Sequence, residues 1–170
     1  MKKGDNLFQQ LQIFEEEINR LEAKVLELET RMEHLFQVER NHLIRVKNHE
    51  EVADDFIYQG KKFQDLTPDK AWGLYQNKDF DFILIDVSDN SYEGRRLPEA
   101  LKIPWLEFKE RFHEIQSRTT PIFIICEDGT SSVLACEFLV KRGYFNANNV
   151  SGGYKYWRGF RLEAVKNESA

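Results

Sequence analysis

The sequence predicts an α/β fold, a parallel sheet covered by helices on both faces, behind one long amphipathic helix. Three observations carry that prediction. Apolar residues near the start recur at alternating spacings of four and three. Two mostly apolar runs, "FDFILIDV" (80–87) and "PIFIIC" (121–126), have the length and β-branched content of strands buried on both sides. Helix-length amphipathic stretches alternate with them, which is the pattern of a parallel sheet with covered faces.

The seam of the first helix runs through Leu7, Leu11, Phe14, Ile18, Leu21, Val25, Leu28, Met32 and Leu35. From Leu7 to Leu35 no proline or glycine interrupts it, and the positions between are mostly Glu, Gln, Arg and Lys. With Leu11, Ile18, Val25 and Met32 at a, and the other five at d, the stripe is narrow and needs a partner. A parallel homodimer through an N-terminal coiled coil is expected; the alternative is a helix folded back on its own domain, which would usually show a wider apolar face. The pattern decays after Leu35, where Glu39 and His42 take the next a and d places, although Val46 could resume it.

The rest of the chain reads in order. Residues 50–65 have no clean period and are expected to form a junction between a coiled-coil helix over 1–49 and an α/β domain over 66–163, with a tail at 164–170. Thr67 before Pro68 predicts an N-cap and first helical residue for "PDKAWGLYQN". The strand 80–87 leads into a turn-rich stretch (88–100), an extended "LKIP" and the amphipathic helix "WLEFKERFHEIQ" (105–116). After strand 121–126, "SSVLACEFLVKRGY" predicts a helix stopped at Gly143. "NNVSGGYKYWRGF" then predicts a short strand, a glycine turn and a last helix.

Composition narrows the function. The net charge of −5 comes entirely from residues 1–60, which hold 8 Lys+Arg against 13 Asp+Glu, while residues 61–170 hold 16 of each. Neither part offers the clustered positive charge that phosphate backbones require, so nucleic acid is not an expected partner. No apolar run is long enough to span a bilayer and the start has no signal-peptide core, so no membrane partner and a cytoplasmic location are expected. The two cysteines are expected to be reduced rather than bridged. His34, His42, His49 and His113 are scattered without metal-ligand spacing, and neither a metal nor a cofactor is expected.

The chemistry concentrates where strand 121–126 ends. In a parallel sheet, ligands gather at the carboxyl ends of strands, where the next helix offers unpaired N–H groups. Cys126 falls there. Glu127, Asp128, Gly129, Thr130 and Ser131 follow, and can curl so that their amides point inward, Gly129 permitting a left-handed step. Such a cradle favours an anion at its centre, whether a thiolate, a persulfide or an oxyanion, and so suits a nucleophilic thiol. Cys136, on a helix face shared with Leu139 and Val140, reads as core packing.

"FILIDV", a turn-rich stretch ending "LPEALKIP", "IFIICEDGTSS" and "NVSGGYKYWRG" together resemble, in order and spacing, a single rhodanese-like domain over roughly residues 63–160. The resemblance implies a central parallel sheet flanked by helices and a cysteine that carries sulfane sulfur as a persulfide. Cys126 matches the sulfur-carrying position, Glu127 to Ser131 the loop around it, and Asp86 the acid that closes the first core strand. A sulfane sulfur donor and a thiol or protein acceptor are the implied partners. This sequence departs from the family pattern at three places. Ser88 stands where arginine is usual, the loop carries Glu127 and Asp128 with Ser131 at a common arginine position, and the turn before Ala100 reads "RRLPEA".

Arg95 and Arg96 are candidates to supply the missing cation, set against a solvated charge pair. Tyr154, Tyr156, Trp157 and Phe160 are expected to pack the last helix on the sheet, or to wall the site. Two other functions compete. A cysteine phosphatase would need an arginine closing the loop, where Ser132 stands; a non-catalytic dimeric adaptor or redox-sensing module would not need turnover at all.

Overall fold

The computed structural model describes residues 2–52 and 54–161, with side chains from residue 7 onward except that of residue 55. Residues 162–163 of the expected domain and the tail 164–170 lie outside them. The chain divides into two compact units after Phe36.

Helix α1 spans Lys2–Lys47. The first unit holds the part of this helix up to Phe36, and the nine seam residues stand 53–64% exposed. The last turns of α1 belong to the second unit, and their buried face is polar rather than a resumed seam. Val46 is 69% exposed, whereas Asn41 and Arg45 are fully buried. Arg45 Nε donates to Asn41 Oδ1 (2.5 Å), Nη1 to Glu50 Oε2 (2.8 Å) and Asn148 Oδ1 (2.7 Å), and Nη2 to the Ala147 carbonyl (2.8 Å). A buried guanidinium is tolerated because its planar fork meets a carboxylate and several oxygens at once.

The second unit continues with α2 (Asp54–Gln59), β1 (Gln64–Leu66), α3 (Pro68–Gln76), β2 (Ile83–Asp86), β3 (Leu101–Lys102) and α4 (Trp105–Arg111). A single 3₁₀ turn (Phe112–Glu114) follows, then β4 (Ile122–Ile125), α5 (Thr130–Lys141), β5 (Ala147–Val150) and α6 (Gly153–Tyr156). The strands form one sheet in the order β1-β5-β4-β2-β3, with every pairing parallel. α2 and β1 fall within or across the edge of the stretch expected to be a junction. The predicted strand over 80–87 shortens to β2 because Phe80 and Phe82 leave the ladder and stack on Phe123, at centroid distances of 6.0 and 4.8 Å.

Alternation along the central strands makes two cores. Ile122 and Ile124 join Ile85, Phe108, Ala135, Cys136 and Leu139 under α4 and α5. Phe123 and Ile125 join Leu84, Ala71, Tyr154 and Trp157 under α3 and α6. Both faces are therefore covered, and β4, buried at all four positions, is aimed by packing from both sides. Thr67 caps α3 as expected, its Oγ1 accepting the Lys70 N–H at 3.3 Å.

Candidate active site

Cys126 is the first residue past β4 and is fully buried, and the loop after it turns into α5 at Gly129, whose φ is +95°. That left-handed step folds the chain back, so the Gly129 N–H points at Cys126 Sγ from 3.1 Å. Ser132 Oγ lies 3.4 Å from the sulfur and donates to the Gly129 carbonyl at 3.1 Å.

The loop amides do not all converge on the sulfur. Asp128 Oδ1 accepts the Thr130 N–H at 2.9 Å, removing that donor from the cradle, and the same oxygen sits 3.8 Å from Sγ. The Thr130 bond, ahead of the others, holds the Asp128 carboxyl below its ordinary range, so a negative charge stands beside the thiol. Asp128 is exposed, and water screens that charge. Glu127 is half-buried, with one carboxylate oxygen shut in without a hydrogen bond. Ser131 is partly exposed, and it is Ser132, one residue further on, that touches the sulfur.

A second turn braces the loop from behind. The N–H groups of Tyr154 and Lys155 donate to the carbonyls of Cys126 (2.8 Å) and Glu127 (3.0 Å). This approach requires glycine at 153, where φ is +56° and a Cβ would sit 2.0 Å from the Cys126 oxygen. The carbonyls are thus turned outward into the brace, leaving the loop's N–H side to the sulfur.

Asp86 ends β2 and organises the neighbouring turn. Its Oδ1 accepts the Ser88 N–H (2.8 Å), and its Oδ2 pairs with Arg96 Nη1 (2.6 Å). Arg96 Nη2 also holds the carbonyls of Asp89 (2.8 Å) and Tyr92 (3.1 Å), so this guanidinium ties down the 88–97 segment and is no solvated ion. The Arg95 guanidinium lies 4.2 Å from the centroid of Phe160. Tyr154 stacks between Tyr92 (5.9 Å) and Phe160 (6.0 Å), and burial, then Asp86, pushes its hydroxyl well above the usual tyrosine range. Trp157 is buried against Trp72 and Tyr75, whereas Tyr156 is 42% exposed. Of the aromatic group, then, Tyr154 and Trp157 are packing residues.

Cys136 is buried in the core, and burial drives its thiol far up, which makes it inert. Among the described residues no cluster of His, Cys, Asp and Glu is placed to hold a metal ion, and no helix is long and apolar enough to cross a membrane. A cavity of about 500 Å³ is lined by Gly60, Lys61, Lys62, Phe63, Asp65, Glu137 and Lys141. It contains no residue of the cysteine loop and plays no part in this site.

Residues 67–159 match the model of the rhodanese-like domain. The chain belongs to the rhodanese-like family. A Haemophilus influenzae protein named thiosulfate sulfurtransferase GlpE is 32% identical over 96 residues, 56% of this chain and 88% of that protein. The Bacillus subtilis uncharacterized protein YqhL is 30% identical over 112 residues, 65% of this chain and 84% of that one. The crystal structure of the BH2092 protein from Bacillus halodurans shares the fold at 21% identity, with a TM-score of 0.51 over 61% of this chain and 77% of that chain. The family match begins at residue 67, beyond α1, so it bears on the rhodanese-like unit and not on the seam. Within that unit Ser132 was the contact that sequence reading passed over. Its signal was its place one turn into the helix that follows the loop.

Proposed function

We propose that the protein moves sulfane sulfur through a persulfide on Cys126. The observation that carries this reading is the Gly129 N–H aimed at Cys126 Sγ from 3.1 Å at the carboxyl end of β4, in a rhodanese-like unit. Relatives named as thiosulfate sulfurtransferases support the reaction class. In the first step the Cys126 thiolate attacks the outer sulfur of a donor R–S–SH. A bond forms between Sγ and that sulfur, the donor S–S bond breaks, and R–S⁻ departs with the electron pair and takes up a proton. In the second step an acceptor thiolate attacks the terminal sulfur of Cys126–S–SH, and Sγ leaves as the thiolate. No outside oxidant or reductant is consumed. Gly129 N–H is the group that would stabilise negative charge on sulfur during both steps, while Ser132 Oγ, whose hydrogen goes to the Gly129 carbonyl, accepts from the protonated thiol.

The Asp128 carboxylate sets the donor class. At 3.8 Å from Sγ it repels a dianion such as thiosulfate more than it does an uncharged or protein-borne persulfide. The second reading, a non-catalytic or redox-sensing module, is favoured by the full burial of Cys126 and by the loss of the Thr130 amide to Asp128.

Intact mass of wild type and Cys126→Ser after incubation with thiosulfate, mercaptopyruvate and a low-molecular-weight persulfide separates the two readings. Wild type gains one sulfur, most readily from the persulfide, and Cys126→Ser gains none. A wild type that takes up no sulfur from any of the three donors sinks the transfer reading and leaves the module.

A further inference from the structure

We infer that residues 7–35 bind the same segment of a second copy, as a parallel two-stranded coiled coil. This pairing does not depend on the sulfur chemistry. All nine seam residues are more than half open, an apolar ridge of the kind that marks an interaction surface. At a rise of about 1.5 Å per residue that ridge is roughly 42 Å long and one stripe wide. Among the described residues the next longest helix is α5, with 12 residues. A mate of equal length and equal spacing is supplied by the same segment of another chain, where a four-three repeat lets each seam side chain enter a hole on the facing helix.

The flanking charges choose the orientation. The e positions hold Phe8, Glu15, Glu22, Glu29 and Phe36, and the g positions Gln10, Glu17, Lys24 and Arg31. In an antiparallel pair e faces e, so glutamates oppose one another along the middle of one flank between Phe8 and Phe36, whereas g against g gives a mixture of signs. In a parallel pair g faces the e of the next heptad. Lys24 then meets Glu29 twice, Glu17 meets Glu22 twice, and Arg31 meets uncharged Phe36. Attraction and repulsion alternate along both flanks in the parallel arrangement, while the antiparallel one gathers its glutamates on a single flank. The Leu-rich d positions and the β-branched Ile18 and Val25 at a also fit two parallel strands. Both rhodanese-like units then follow from the same end of the coil.

Sedimentation equilibrium of the full chain at micromolar concentration tests the pairing. The expected mass is twice 20.2 kDa, and the double variant Leu21→Glu, Leu28→Glu falls to the single-chain mass. Tryptophan fluorescence of the double variant should match wild type, because Trp72, Trp105 and Trp157 all lie in the second unit. Orientation is read by mild oxidation in a Cys126→Ser, Cys136→Ala background. Leu35→Cys chains are expected to cross-link to each other, and mixed Leu7→Cys and Leu35→Cys chains are not expected to form the mixed product. A wild-type mass of 20.2 kDa, a mass of three or more chains, or a dimer that survives the double variant overturns the pairing. A Leu7-to-Leu35 cross-link overturns the parallel orientation.

Discussion

Replacing Gly153 by alanine should unseat the cysteine loop, and the cost can be worked out atom by atom. Holding an L-residue at φ +56° costs about 1–2 kcal/mol. The added Cβ would lie 2.0 Å from the Cys126 carbonyl oxygen, where a carbon–oxygen contact needs about 3.3 Å, so loop and turn must separate by roughly 1.3 Å. That gap breaks the two bonds from Tyr154 and Lys155, of 2.8 and 3.0 Å, each worth about 0.5–1.5 kcal/mol net. Together these give a loss of about 2–5 kcal/mol. For a unit of this size the melting temperature should fall by about 6–20 °C.

Gly73→Ala is the matched control. Gly73 lies inside α3, and a Cβ added there would meet nothing within 4 Å, so alanine should raise stability by about 0.5–1 kcal/mol. Thermal unfolding followed by tryptophan fluorescence reports both variants in the same unit. Opposite shifts are expected. If Gly153→Ala melts with wild type, or if the two variants move in the same direction, the account of the brace is wrong.

Two further substitutions probe the loop and the buried arginine. Asp128→Asn keeps an oxygen for the Thr130 amide and removes the charge 3.8 Å from Sγ, which at a water-like dielectric opposes negative sulfur by about 1 kcal/mol. Alkylation of Cys126 at neutral pH and low salt should quicken about two- to threefold after the partial offset from lower intrinsic nucleophilicity; a gain that persists undiminished in 1 M salt would point away from charge. Arg45→Met leaves Glu50 and the oxygens of Asn148 and Ala147 without their donor, and should cost about 3–5 kcal/mol in urea unfolding. Burial already pushes the Glu50 carboxyl up against the opposing pull of Arg45, and without Arg45 it rises further. A carboxyl raised in the folded state weakens stability above its folded pKa and not below its unfolded value. The deficit of Arg45→Met should therefore shrink as pH falls from about 7 towards 4.5. A deficit constant over that range would contradict the buried-charge explanation.

Much of the fold was legible because period and burial agree. The apolar runs around Ile85 and Ile124 are buried on two faces, and Thr67-Pro68 sits where a helix begins. β1, "QDL", was missed because a three-residue edge strand is fixed by its backbone pairing with β5 and needs no apolar alternation. The buried Asn41 and Arg45 were invisible to hydrophobic patterning, since what makes a buried guanidinium acceptable is a set of oxygens about a hundred residues further along. At the site, Cys126 and Gly129 could be read from the end of a strand and the demand for a left-handed turn. The diversion of the Thr130 amide was also readable in principle, because an aspartate two residues before an amide commonly accepts from it. The Ser132 contact depends on how tightly the first turn of α5 winds, which spacing alone does not fix.

β5 acts as a ruler. Its sequence, "ANNV", has little apolar content to set its alignment against neighbours, and its place is specified by polar keys instead. Asn148 receives Arg45, Asn149 Nδ2 reaches Asp65 Oδ1 on β1 at 2.8 Å, and Asn146 Nδ2 bonds the Thr120 carbonyl. Each key fits one register only, and a slip by one residue would turn all of them to the wrong face. Gly153 is counted off from that register, three residues beyond the end of the strand. The same slip would bring Gly152 or Tyr154 beneath the Cys126 carbonyl, so three asparagines far from the sulfur decide which residue braces it.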